Sequence, residues 1–315
     1  MTTMIIGQAE SSHKGLGSAE PLLVRQTVPP RLIRRINSSD VFVTHLGIVA
    51  EDVFEVGVRW PGTHSFYTPA APRVHDPLLF LESVREAGVL IAHAGYQIPM
   101  EFKFLTNQKW FHVDDPAGLR TNGSDPVDVT MRVTAKDIKR RARSFAGMLF
   151  DVECYRDGSR IGTAAYRWSC VSSAGYARLR GRYRDAQPEV PAGAFPVDHD
   201  LVGRCAAIDV MLADAPGENT WLLRVDPEHH VIYDHPMDHV PGNAIIEAGR
   251  QAALLASGMP EALPVGGELD FHHYIEFDQP CTVTAHPVPG TSIIRLAFDQ
   301  GEVRMADGSL DLCHL

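Results

Sequence analysis

Two stretches of the chain place a carboxylate and a guanidinium three residues apart: Glu82 with Arg85, and Glu247 with Arg250. The first follows Asp76-Pro77 and the second follows Pro241-Gly242-Asn243, so both acids fall at one register inside a helix start. At this spacing the acid and base share a helix face and touch. The rest of each stretch is apolar nearly all round, with Leu78, Leu79, Leu81 and Val84 in one and Ile245, Ile246, Ala252 and Leu254 in the other. Helices without a broad polar face are mostly buried, and a buried charge is costly unless it is paired. A single such pair is usually an ordinary surface contact worth at most about 0.5 kcal/mol. Its recurrence at one register means that a duplicated unit uses it, for folding or for chemistry.

The loops before these helices are rich in imidazole. His64 and His75 precede the first helix; His229, His230, His235 and His239 precede the second, beside Asp234 and Asp238. These are metal-ligand types, but the string matches no established zinc spacing, and Pro236 disrupts the helix that would align His235 with His239. The expectation is therefore no metal, with these groups hydrogen-bonding a substrate or orienting Glu247.

The elements that position these groups occur twice, in one order. β-Rich segments (Val41–Val49 and Val53–Trp60; Cys205–Leu212 and Thr220–Val225) precede the imidazole loops. Helices are expected over Pro77–Ala94 and Asn243–Ser257. A strand beginning at Phe102 or Phe271 follows, and more strands close each copy: Val127–Val133, Gly147–Tyr155 and Gly162–Val171, answered by Cys281–Ala285, Ser292–Phe298 and a short tail. The organisation expected is a flexible lead-in over 1–37, a first copy over 38–172, a linker rich in Arg, Gly and Pro over 173–196, and a second copy over 197–315. One central helix among antiparallel strands in each copy makes the fold class α+β.

Composition limits the alternatives. The 315 residues are 44% hydrophobic and 22% charged, which is ordinary globular material. No apolar run approaches the roughly 20 residues of a membrane helix, and no signal-peptide order begins the chain, so a cytoplasmic protein is expected. Five cysteines, Cys154, Cys170, Cys205, Cys281 and Cys313, are widely spaced and form no CxxC pair, which argues against disulfides and zinc. Net charge of −10 argues against nucleic acid. Basic residues nevertheless cluster at Lys136 to Arg143 and at Arg178, Arg180, Arg182 and Arg184, where an acidic carrier or a phosphate could be received.

The stretch from Tyr233 to Ala253, with His235, His239, Gly242, Glu247 and Arg250, resembles the AfsA family, which is named for the synthesis of A-factor-type γ-butyrolactone signals. The first copy is similar through Trp60-Pro-Gly-Thr-His64, His75-Asp-Pro77, Glu82, Arg85-Glu-Ala-Gly88 and Ala92-His93. The resemblance implies a double hotdog: two tandem units, each with a central helix wrapped by an antiparallel sheet. It also implies an acyltransferase that joins a β-ketoacyl group from acyl carrier protein to the hydroxyl of dihydroxyacetone phosphate, without a cofactor. The ester then cyclises to a butenolide phosphate.

On that basis Glu247 is expected to be a general base with a raised pKa, and Arg250 to orient it or hold phosphate. Glu82 and Arg85 form the matching pair. Gly242 and Asn243 supply amides to the thioester oxygen, and His235, Asp238 and His239 contact substrate. A monomer or a homodimer would satisfy the fold. The second copy also resembles hotdog dehydratases, but those have His where this chain has Tyr233, which tells against dehydration. A thioesterase or hydratase, and a non-catalytic lactone-binding protein, are the competing expectations.

Overall fold

A computed structural model describes residues 26–68, 74–141, 144–188 and 195–314. Residues 1–25 of the expected lead-in, 189–194 of the expected linker and Arg143 of the basic cluster lie outside the described residues. Within them, twelve strands form one antiparallel sheet. The first copy contributes β1 (Val43–Ala50), β2 (Val53–Trp60), α1 (Pro77–Leu90), β3 (Lys103–Val113), β4 (Val127–Arg141), β5 (Ser144–Arg156) and β6 (Ser159–Val171). After α2 (Ser173–Arg180), the second copy contributes β7 (Leu212–Asp214), β8 (Thr220–Leu223), α3 (Gly242–Ser257), β9 (Leu263–Phe271), β10 (Thr282–Pro287), β11 (Ile293–Gln300) and β12 (Val303–Cys313).

Spatial order is β1-β2-β4-β5-β6-β3 in the first half and β9-β12-β11-β10-β8-β7 in the second. Read outward from the centre, the two halves have one topology. They join where β3 pairs with β9, from Gln108 opposite Asp270 to His112 opposite Gly266. Alternation sets the faces: Val127, Val129, Met131 and Val133 of β4 are buried, while Asp128 and Arg132 between them are exposed. α1 packs on β1, β2, β6 and β9, and α3 on β7, β8, β10 and β11. Helix α1 of the first copy thus touches a strand of the second.

Three expectations need correction. Cys205–Leu212 is not a strand: a 3-10 turn occupies Ala207–Asp209, and pairing begins only at Leu212. The strand expected to open at Phe271 ends there, because it starts at Leu263 and runs through Gly266-Gly267. Those glycines look like a turn, but a Cβ on Gly267 would lie 2.6 Å from the Ser309 carbonyl oxygen, so a bare backbone is what lets β9 and β12 pair. Residues 173–180, expected as linker, form α2. Ser172 caps it by accepting from the Gly175 amide at 3.2 Å, and Arg180 is buried.

The described part of the lead-in also packs. Pro30–Ile33 is a 3-10 turn, Arg34 closes it in the left-handed region, and Arg35 is buried. The second copy repeats this device: His199–Val202 is a 3-10 turn, Gly203 is left-handed and Arg204 is buried.

Candidate active site

Each helix glutamate is wrapped by guanidinium groups. Glu247 accepts from Arg204 Nε at 2.8 Å and Nη2 at 2.7 Å, from Arg250 Nε at 2.9 Å and Nη2 at 2.7 Å, and from Gln251 Nε2 at 2.5 Å. Glu82 accepts from Arg35 Nη2 at 2.6 Å, from Arg85 Nε at 2.9 Å and Nη2 at 2.6 Å, and from Asn243 Nδ2 at 2.7 Å. The i, i+3 pairs are therefore present. The second arginine of each set, Arg35 or Arg204, comes from the irregular segment before its copy. Sequence reasoning missed these two; the signal was Ile33-Arg34-Arg35 answered by Val202-Gly203-Arg204.

The electrostatics run opposite to expectation. Burial pushes the Glu247 carboxyl up, but Arg204 and Arg250 outweigh it and hold it down at about 2. Burial likewise opposes ionisation of Glu82, and Arg35 and Arg85 hold that group well below the usual carboxylate range. Neither has the raised pKa expected of a general base. Burial and the nearby Glu82 charge instead push Glu86 up to about 8. Glu86 Oε2 accepts from the Phe42 amide at 2.8 Å, as Gln251 Oε1 accepts from the Met211 amide at 2.8 Å. A protonated acid in one copy thus matches a neutral amide in the other.

A cavity of about 1040 Å³ opens between the copies on the Glu82 side. Arg85 of α1, the start of β3, Tyr176 of α2, the loop 234–241, Gly242 and Asn243 of α3, and Tyr274 line it. Of the expected site residues, Arg85, His235, Asp238, His239, Gly242 and Asn243 meet here. Glu82 stands directly behind, bonded to the lining residues Arg35, Arg85 and Asn243. Glu247 and Arg250 are not among the lining residues. Arg250 is bonded to Glu247 and to the Val202 carbonyl at 2.8 Å, on the side of the second copy away from the cavity lining. The corresponding loop of the first copy, near His64 and His75, encloses only about 10 Å³ among the described residues. His75 packs on Trp60, and burial lowers its pKa to about 4.

Two Asp–His pairs face the cavity. His239 Nδ1 lies 2.6 Å from Asp238 Oδ1, and His235 Nδ1 lies 2.5 Å from Asp234 Oδ1. Each aspartate is anchored in turn. Tyr176 Oη donates to Asp238 at 2.6 Å, and Arg180 donates to its carboxylate and its carbonyl. Arg35 Nη1 lies 3.4 Å from Asp234. Burial opposes ionisation of Asp238, but the His239 and Tyr176 hydrogen bonds hold its carboxyl well below the usual range. An ionised Asp238 accepts from Nδ1 of His239, which fixes the ring and leaves Nε2 as its second nitrogen. His235 is 44% exposed at the side chain, whereas His239 is 20% exposed and packs edge-on to Tyr274 at 4.5 Å. His239 is the more enclosed of the two.

Two further features complete the site. Asp76 caps α1 by accepting from the Leu78 amide at 2.9 Å, whereas α3 has no side-chain cap and presents its first amides at Gly242 and Asn243. Lys109 of β3 is buried behind Asn243, 3.4 Å from its Oδ1, and burial lowers its pKa to about 8. The thiol of Cys170 is pushed up to about 11 by burial, which suits a structural role better than a nucleophilic one. No helix among the described residues is long and apolar enough to cross a membrane.

Comparison with known proteins adds a family. A model of the A-factor biosynthesis hotdog domain matches residues 18–172 and again 186–314. The 2-oxo-3-(phosphooxy)propyl 3-oxoalkanoate synthase of Streptomyces virginiae is 37% identical over 268 residues, covering 84% of this chain and 88% of its own. The synthase of the same name from Streptomyces coelicolor is 34% identical, covering 90% of this chain and 88% of its own. Among solved structures, a 12:0-ACP thioesterase from Umbellularia californica superposes with a TM-score of 0.53 at 11% identity, covering 84% of this chain and 99% of its own. A putative oleoyl thioesterase from Lactobacillus plantarum gives 0.51 at 10% identity, covering 84% and 96%. These two likenesses carry the fold alone, a double hotdog.

Proposed function

The chain belongs to the A-factor biosynthesis hotdog family, and from that premise we propose that it joins a β-ketoacyl group to the free hydroxyl of dihydroxyacetone phosphate. The product is a 2-oxo-3-(phosphooxy)propyl 3-oxoalkanoate, the compound named for its relatives. The acyl group arrives as a thioester on acyl carrier protein. The work is cytoplasmic, in keeping with five cysteines of which none is paired. One chain holds both hotdog units, so a monomer suffices.

The observation that carries this function is the anchored Asp238–His239 pair in the cavity between the copies. His239 Nε2 takes the proton of the triose hydroxyl as its oxygen attacks the thioester carbon. Negative charge gathers on the thioester oxygen, where the uncapped amides of Gly242 and Asn243 stabilise it. The tetrahedral intermediate collapses, the C–S bond breaks, and the departing thiolate recovers the proton from His239. Asp238 holds the ring and stabilises its transient charge. Loss of water between the active methylene of the ester and the triose ketone then closes the butenolide.

Glu82 acts by position: it fixes Asn243, and with it the start of α3, against Arg35 and Arg85. Glu247 and Arg250 hold the second copy together and touch no substrate. The test is mass spectrometry of the products from a β-ketoacyl thioester with and without dihydroxyacetone phosphate. The ester or its butenolide should form only with both. Free β-keto acid released at the same rate without the triose would make the protein a thioesterase.

A further inference from the structure

Arg34 lines the same cavity and differs from the two guanidinium groups beside Glu82, Arg35 and Arg85. Arg35 and Arg85 share Glu82, and Arg35 also meets Asp234. Arg34 meets no carboxylate among the described residues. Its Nε donates to His93 Nε2 at 3.3 Å, and its Nη2 donates to the carbonyl oxygens of Met100, at 2.7 Å, and Phe102. His93 is itself fixed with Nδ1 at 2.7 Å from the Ile98 carbonyl, so Nδ1 carries the proton and Nε2 accepts. Its guanidinium also lies 4.8 Å above the Phe104 ring. The group is thus aimed by neutral acceptors and an aromatic face, and none of them cancels its charge. Burial, and after it the neighbouring Arg85 charge, lower its pKa to about 10.

The backbone points the same way. Arg34 has φ of 59°, a left-handed conformation that is unfavourable for a non-glycine residue. The equivalent residue of the second copy is Gly203, with φ of 63°. Where the fold alone decides, glycine occupies this turn. Arginine in the first copy is therefore kept for its side chain. Lys103, also lining the cavity and exposed, adds a further cation without an acid partner among the described residues.

We infer that Arg34, with Arg85 beside it, forms the phosphate subsite of the cavity, Arg34 supplying the uncompensated charge and Arg85 the second guanidinium. The ligand class is a phosphate ester. Two sources fit the transfer proposed above, on which this assignment rests: the phosphomonoester of the triose and the phosphodiester of a carrier's phosphopantetheine arm. The side of the cavity opposite the phosphate then receives the acyl chain.

Calorimetric titration of the whole protein with dihydroxyacetone phosphate and with dihydroxyacetone, for wild type, Arg34→Gly and Arg34→Lys, tests this. Glycine relaxes the left-handed backbone, and lysine restores the charge without the fork. Arg34→Gly should lower the ratio of the two affinities at least about tenfold, with partial rescue in Arg34→Lys. A parallel arm compares an acyl phosphopantetheine thioester with the phosphate-free acyl N-acetylcysteamine thioester. A loss confined to that pair keeps the subsite and assigns it to the carrier arm. Unchanged ratios in both arms, with Arg34→Gly folded by circular dichroism, would overturn the subsite. Arg34-dependent binding without any ester formed would leave the subsite standing and remove the transfer proposal instead.

Discussion

Glu247 receives hydrogen bonds from Arg204, Arg250 and Gln251, and that saturation decides its part at the residue scale. A carboxylate so held is a poor base and a strong structural tie. Its folded pKa of about 2 lies below the ordinary value of 4.5, so its stabilisation is complete above about pH 4.5 and lost as pH falls through 2. Urea unfolding of wild type and Glu247→Gln across this range should show a gap widest above pH 4.5. That gap, of about 3 kcal/mol, should close toward pH 2. A gap that does not change with pH would mean that Glu247 is not ionised against its arginines. The i, i+3 pairs were legible because helical spacing writes contact into the sequence. The second arginines were not, since Arg35 and Arg204 lie 47 and 43 residues before the acids they meet. The raised pKa expected of Glu247 fails for the same reason: a buried glutamate has a raised pKa only if nothing else reaches it.

At the scale of elements, α2 decides whether the imidazole loop holds its shape. Arg180 forks onto Glu276 at 2.7 Å through both Nη atoms and onto Asp238 at 3.1 Å through Nε, and it stacks 4.3 Å from the Tyr274 ring. A run of Arg, Gly and Pro reads as solvated linker from composition, because burial of Arg180 depends on acids supplied by two distant loops. Arg180→Gln should cost about 3 kcal/mol, since it leaves two largely buried carboxylates without their guanidinium. Hydrogen exchange should quicken first over residues 234–240 and 272–277. Uniform loosening of the whole sheet, or none, would mean that α2 is not the brace of that loop. The central helices were read correctly, although α3 begins one residue earlier than expected and α1 passes into a π-helical turn at Ile91–Gly95. β9 was legible only in part, because Gly266-Gly267 signals a turn unless its strand neighbours are known.

For the whole molecule, duplication gives one topology twice but two different interiors. The cavity lies on the Glu82 side, while among the described residues the corresponding loop of the first copy, with His64 and Tyr67, encloses only about 10 Å³. An excess of acidic residues over the chain contrasts with Arg34, Lys103 and Arg184 around the cavity. This arrangement suits an anionic carrier that meets a local basic rim, an attraction that salt screens over about 10 Å at 0.1 M. Raising salt from low to about 0.5 M should raise KM for the carrier-bound substrate several-fold and leave that of a small uncharged thioester nearly unchanged. Equal sensitivity of both would exclude a docking role for the rim. The repeat itself was legible from the order of elements; which side kept an open site was not, because loop packing settles it. The proposed transfer rests on His239, which lines the cavity and is held by Asp238. Single-turnover ester formation from a bound β-ketoacyl thioester should fall by a factor of about 10² to 10⁴ in His239→Gln, with thioester affinity unchanged. Turnover near the wild-type rate in a folded His239→Gln protein would contradict the assignment.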